Sequence, residues 1–116
     1  MEDSILLTIK QLLGGDISGN EFDKEIIYSI NSVLSILTQL GVGPDTGFVI
    51  TGDEETWNDY IGDRNDIEMV KNYIYTKVRL LFDPPSNSFL VDSMNKLCNE
   101  FEWRLNVAIE TPSAIE

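Results

Sequence analysis

The sequence predicts an all-α protein: a small bundle of about four principal helices with an irregular middle segment and an extended C-terminal tail. Three observations predict it. Apolar residues recur at helical spacing over four stretches, residues with capping chemistry stand ahead of them, and Gly or Pro follows them. Asp3 or Ser4 can cap a first short helix, in which Ile5, Ile9, Leu12 and Leu13 share a face until Gly14-Gly15 stops it. Ser18 and Glu21 have the spacing of a capping box ahead of a long second helix. Its stripe is Ile26, Ile30, Val33, Leu37 and Leu40, widened by Ile27 and Leu34, and it faces the core.

Gly41, Gly43, Pro44 and Gly47 end that helix. The connection through Phe48-Val49-Ile50 is expected to be extended, with a short strand as one option, before Thr51-Gly52-Asp53-Glu54 starts another turn. Residues 56–61 can form one or two helical turns around Trp57 and Tyr60, closed by Gly62. Asn65 and Glu68 repeat the capping spacing, and the next helix runs to about Phe82, where Pro84-Pro85 cannot continue it. Ser86 or Ser88 can cap the last helix, which persists to about Ile109. The expected organisation is one helical domain over residues 1–109 and a C-terminal arm over 110–116; no internal repeat suggests a solenoid.

At 116 residues, 42% of them hydrophobic, the chain can supply one modest core. Its formal charge of −12 removes the cationic footprint that grips phosphate backbones, so nucleic acid is not expected as a bound substrate. Cys98 is the only cysteine, which excludes an intrachain disulfide, and its place in an apolar stripe predicts burial. The opening MEDSILLTIK fits neither a secretory signal nor a transit peptide, and no apolar run approaches membrane-spanning length. The expectation is a protein made in the cytoplasm, with no membrane partner.

The last two helices carry more apolar surface than one face needs. On a 100° projection Ile67, Val70, Ile74, Val78 and Leu81 share one side of the fourth helix, while Met69, Tyr73 and Leu80 lie opposite. The fifth repeats this, with Leu90, Met94, Leu97, Phe101, Leu105 and Ala108 on the main face and Phe89, Trp103 and Val107 roughly behind. Two stripes require two partners, and a domain of this size has little interior in which to enclose two such helices. Two explanations stay open: Tyr73 and Trp103 pack beneath the irregular middle segment, or the outer stripes meet another subunit. Met69, Tyr73, Leu80, Phe89, Trp103 and Val107 are the candidate interface residues.

Catalytic constellations are nearly absent. A histidine count of zero removes the commonest general base and transition-metal ligand, and leaves serine or cysteine triads without their base. Asp53, Glu54, Glu55, Asp59, Asp63 and Asp66 form an acidic cluster, but they do not match the calcium-loop pattern; helix capping and solvation of an exposed loop account for them, as their places near predicted helix starts support. The run from Gly14 to Gly19 lacks a preceding strand and a Gly-Lys-Ser/Thr sequence, so it reads as an interhelical turn and not a phosphate loop. No enzyme, cofactor or metal site is expected.

Three segments carry a resemblance. They are Ile30-Asn31-Ser32-Val33 through Gln39-Leu40-Gly41-Val42-Gly43-Pro44, Met69-Val70-Lys71 through Leu80-Leu81-Phe82-Asp83-Pro84-Pro85, and Glu102-Trp103-Arg104-Leu105-Asn106-Val107. With these the chain resembles the small head-tail connector, or adaptor, proteins of tailed bacteriophages over most of its length. The resemblance implies a structural protein of the virion neck: a homo-oligomeric ring of about a dozen subunits, bound to the portal above and to a stopper or tail-completion protein below. The genome would pass through the lumen without specific binding. Residues 41–62 vary among such proteins, so their fold and partner are not carried over. On this reading the acids of the region from Asp53 to Asp66 line or approach the lumen and keep phosphates off the wall; solubility is the alternative source of the acidity. Residues Thr111, Pro112, Ser113, Ala114 and Ile115 would form a portal-docking arm, with Pro112 pre-ordering an extended backbone and Ile115 as an apolar anchor. The competing reading is an acidic regulatory module that binds a host or phage protein by imitating nucleic-acid charge, and it predicts a compact monomer or dimer with a basic partner.

Overall fold

The structure is a computed structural model that describes residues 4–14, 19, 21–62 and 67–110, the last three by backbone alone. Its elements are α1 (Ile5–Leu13), α2 (Asp23–Gln39), α3 (Trp57–Ile61), α4 (Ile67–Phe82) and α5 (Ser88–Glu110). Four principal helices and one short turn form the all-α bundle that the apolar spacing predicts. The described residues contain no strand, only an isolated antiparallel bridge between Ser4 and Thr56.

Ser4 caps α1, its hydroxyl accepting from the Leu7 N–H at 3.2 Å, and Gly14 ends the helix at φ 68°. Ile5, Leu6 and Ile9 are buried and Leu13 packs half-buried against the core, so of the expected stripe Leu12 alone is exposed. Lys10, nearly buried, joins this helix to the next: its ammonium pairs with Asp23 at 2.8 Å and donates to the Gly19 carbonyl at 2.9 Å. That tether accompanies a later start of α2 than the capping-box spacing suggests. The N-cap residue is Phe22, with no side-chain cap, and Asp23 and Glu25 place negative charge in the first turn, where the helix dipole favours it. Ser18, the residue expected to cap, lies outside the described residues. Ile26, Ile30, Val33, Leu34 and Leu37 form the buried face of α2 as expected.

Residues 48–50 form no strand, and Asn31 takes the place of a strand's partner at Ile50. Its side-chain amide donates to the Ile50 carbonyl at 3.0 Å and accepts from the Ile50 N–H at 2.8 Å, so one side chain meets both needs that a neighbouring strand would meet. Ile50 is thereby anchored in the core. Thr56 and Asp59 form the capping box of α3, with both reciprocal bonds in place at 3.0 and 3.1 Å. Trp57 and Tyr60 are buried, the Trp57 indole N–H donating to the Thr8 hydroxyl at 3.0 Å. These contacts sew the middle segment to α1 and α2.

Helix α4 is the hub. It packs against α1 and α2 on one side and α5 on another, whereas α5 rests chiefly on α4. Asn87 caps α5, its side-chain oxygen accepting from the Phe89 and Leu90 amides at 2.8 and 3.1 Å. The cap is therefore neither Ser86 nor Ser88, and Ser88 is the first helical residue; Asn is as strong an N-cap as Ser and stood one position away.

Candidate functional site

The two outer stripes expected on α4 and α5 have different fates. Tyr73 does not face outward: it is fully buried between the helices, and its hydroxyl donates to Glu102 of α5 at 2.7 Å. Lys77 approaches the same carboxylate at 3.7 Å, and the buried thiol of Cys98 completes the seam. Met69 and Leu80 are partly buried against the core. The second face of α4 is thus satisfied by α5 within one protomer, because a tyrosine can bury its ring and still give its hydroxyl to a carboxylate at the edge. Tyr73, Met69 and Leu80 leave the exposed set.

Helix α5 is not satisfied in this way. Cys98 and Leu105 are its buried residues, flanked by half-covered Met94, Phe101 and Glu102. The helix is turned so that this edge meets α4, which brings Leu90 and Leu97 of the expected main face into solvent together with Phe89 and Trp103. Phe89 is 78% exposed and Trp103 65%. Val107 is half-buried. Two large aromatics and two leucines along one 23-residue helix are thus left wet by a protomer alone, interleaved with the exposed charges of Lys96, Glu100 and Arg104.

The seam also sets a pH dependence. Burial pushes the Tyr73 hydroxyl far above its ordinary 10.0, and the hydrogen bond to Glu102 and that carboxylate's charge push it further. A raised folded value means the contribution is complete below the unfolded value and is lost as pH climbs past it. Tyr73→Phe should cost about 1.5–3 kcal/mol at neutral pH, the range for a hydrogen bond to a charged group. The urea midpoint of the variant should then fall less steeply than that of the native chain as pH is raised to about 11. Parallel slopes would contradict the assignment. Burial also raises the Cys98 thiol, with Lys77 opposing and Glu102 adding, which leaves an inert packing residue.

The acidic residues divide. Asp59 belongs to the α3 capping box, and Glu55 accepts from the Thr51 amide and hydroxyl at 3.0 and 2.9 Å. Burial works to raise the Glu55 carboxyl, but the hydrogen bonds from the Thr51 side chain and nearby backbone amides outweigh it and hold it below the usual range. Asp53 and Glu54 are exposed, with their charge in solvent. Asp63, Asp66 and the arm residues Thr111, Pro112, Ser113, Ala114 and Ile115 lie outside the described residues. Among the described residues no group of three or more His, Cys, Asp or Glu side chains could hold a metal ion, and no helix is long and apolar enough to cross a membrane.

A family model described as phage connector protein matches residues 5–112. The chain belongs to the phage connector protein family. No functionally characterised protein and no solved structure gave a significant match. Family membership gives this connector a structural role at the phage head-tail junction, among head and tail components in the virion neck. The matched region takes in the whole seam between α4 and α5 and the exposed face of α5.

Proposed function

We propose that the connector assembles into a ring of about a dozen copies that joins the portal to a stopper or tail-completion protein and surrounds the DNA channel. The observation that carries this reading is the exposed apolar face of α5, with Phe89 and Trp103 as its largest side chains. Fully burying a side chain of this size contributes about 1.5–3 kcal/mol, so several together can hold copies side by side. Family membership supplies the setting.

The charge of −12 suits a channel wall that guides a duplex without holding it. On this reading Asp53 and Glu54, exposed on the middle segment, would repel phosphate, and repulsion over roughly 8–10 Å is enough for a wall close to the duplex. Residues 111–116 would dock on the portal as an arm, using a short extended segment to bridge two rigid rings.

Sedimentation of the chain with purified portal protein tests the reading. The expected result is a joint complex containing many copies of the connector, weakened when residues 111–116 are deleted while helix content stays unchanged. A chain that remains monomeric beside the portal and instead captures a basic protein would support the regulatory module. Full portal binding without the tail would remove the arm.

A further inference from the structure

We propose that the groove between the first half of α2 and the end of α4 is the socket into which a second copy of this chain inserts the exposed face of its α5. This rests on the ring reading and names the surface that completes it. The groove has a volume of about 780 Å³ and is walled by Phe22, Tyr28, Leu81 and Phe82. Phe22 and Phe82 meet edge to face at 5.9 Å and give one wall a fixed shape. Tyr28 is 76% exposed and Leu81 57%, large side chains that the protomer leaves uncovered.

Three features point to a second copy as the occupant. Among the described residues an apolar groove lies between α2 and α4 and an exposed pair of leucines, Leu90 and Leu97, lies on α5. Two such surfaces on different elements join copies head to tail, and a head-to-tail contact that closes on itself makes a ring.

Spacing agrees with this. Leu90 and Leu97 are seven residues apart, about 10 Å along the helix, a span that a groove of this size can hold.

Charge agrees too. Two copies that each carry −12 repel, yet the groove brings one Lys24 and one Glu25, and the exposed run of α5 alternates Asp92, Lys96, Glu100 and Arg104. Each set sums to no net charge, with Glu100 and Arg104 already paired within α5 at 2.7 Å, so these are surfaces on which like-charged copies approach with little repulsion.

The test uses the full chain under conditions in which the native protein self-associates, on the portal if needed. A socket variant, Tyr28→Asp with Leu81→Asp, and a ridge variant, Leu90→Asp with Leu97→Asp, alter exposed side chains, and circular dichroism checks their fold. Each alone should lose self-association by at least about tenfold, because a charge is forced into an apolar contact. Mixed together they should form dimers and nothing larger, since the mixture keeps one intact socket and one intact ridge. Chains with one added cysteine, Ser32→Cys or Ser93→Cys, provide a milder readout if the aspartates disturb folding. A short thiol-reactive linker should join one type to the other more than either to itself, with buried Cys98 unreactive. A socket variant that assembles like the native chain while the ridge variant does not would overturn the socket and leave the ring intact. A mixture that yields no dimer and no cross-link would also overturn the pairing. A native chain that never self-associates, even on the portal, would overturn both.

Discussion

Phe89→Asp combined with Trp103→Asp should leave the protomer folded and remove its ability to assemble. Both side chains are mostly in solvent, so their loss takes little from the core, and surface changes of this kind usually shift stability by within about 0.5 kcal/mol. Assembly is different. If sister copies cover these aromatics, each truncation forfeits a buried anchor and each new carboxylate is desolvated or keeps the contact open. The combined loss should be on the order of 4 kcal/mol or more, about a thousandfold in association. Sedimentation velocity measures it, with circular dichroism as the folding control. Assembly at the native strength would place the interface elsewhere.

Gly43→Ala should be the most damaging small change to the fold. Gly43 has φ +87°, and an added Cβ would lie 2.5 Å from Cε1 of Tyr60, with Cζ and Cδ1 at 3.2 and 3.3 Å. The ring is hard to displace because Tyr60 is buried and packs on Phe48 at 5.1 Å between centroids. Left-handed backbone costs an L-residue about 1–2 kcal/mol, and the forced overlap adds about 1–3 more. The melting temperature should therefore drop by on the order of 10 °C. Two control substitutions separate the causes. Gly14→Ala meets open space at φ +68° and should show only the backbone cost, whereas Gly52→Ala, with nothing within 4 Å and no positive φ, should be nearly neutral. Equal losses at all three positions would contradict the steric account.

Legibility in the sequence followed locality. The helices, Ser4 as a cap and the buried face of α2 could be read because each depends on neighbours a few residues away. The fate of Tyr73 could not. At about 100° per residue it lies roughly 60–120° round α4 from Ile67, Val70 and Ile74, beside the core face and not behind it, and the partner waiting there was Glu102, 29 residues on. A single-helix wheel shows that a second face exists and not what covers it. The orientation of α5 was legible in part: Cys98 and Leu105 are buried as their place in the apolar stripe predicts, whereas Leu90 and Leu97, which look like core by the same spacing, are exposed. Asn31 was overlooked because a polar residue on a helix gives no sign that its amide will serve a loop 19 residues away. Tyr28 left a fainter signal, a lone aromatic between Glu25 and Ser32 on the polar side of α2, which marks the groove in retrospect.

The surplus apolar surface is therefore smaller than the sequence suggested and is concentrated on α5 and in the groove of α2 and α4. Electron cryomicroscopy of the assembled neck, at a resolution that places side chains, tests that most directly. The account predicts Phe89, Leu97 and Trp103 buried at the boundary between adjacent copies of this chain; the same three residues standing in solvent in every copy, or a neck without a ring of this protein, would contradict it.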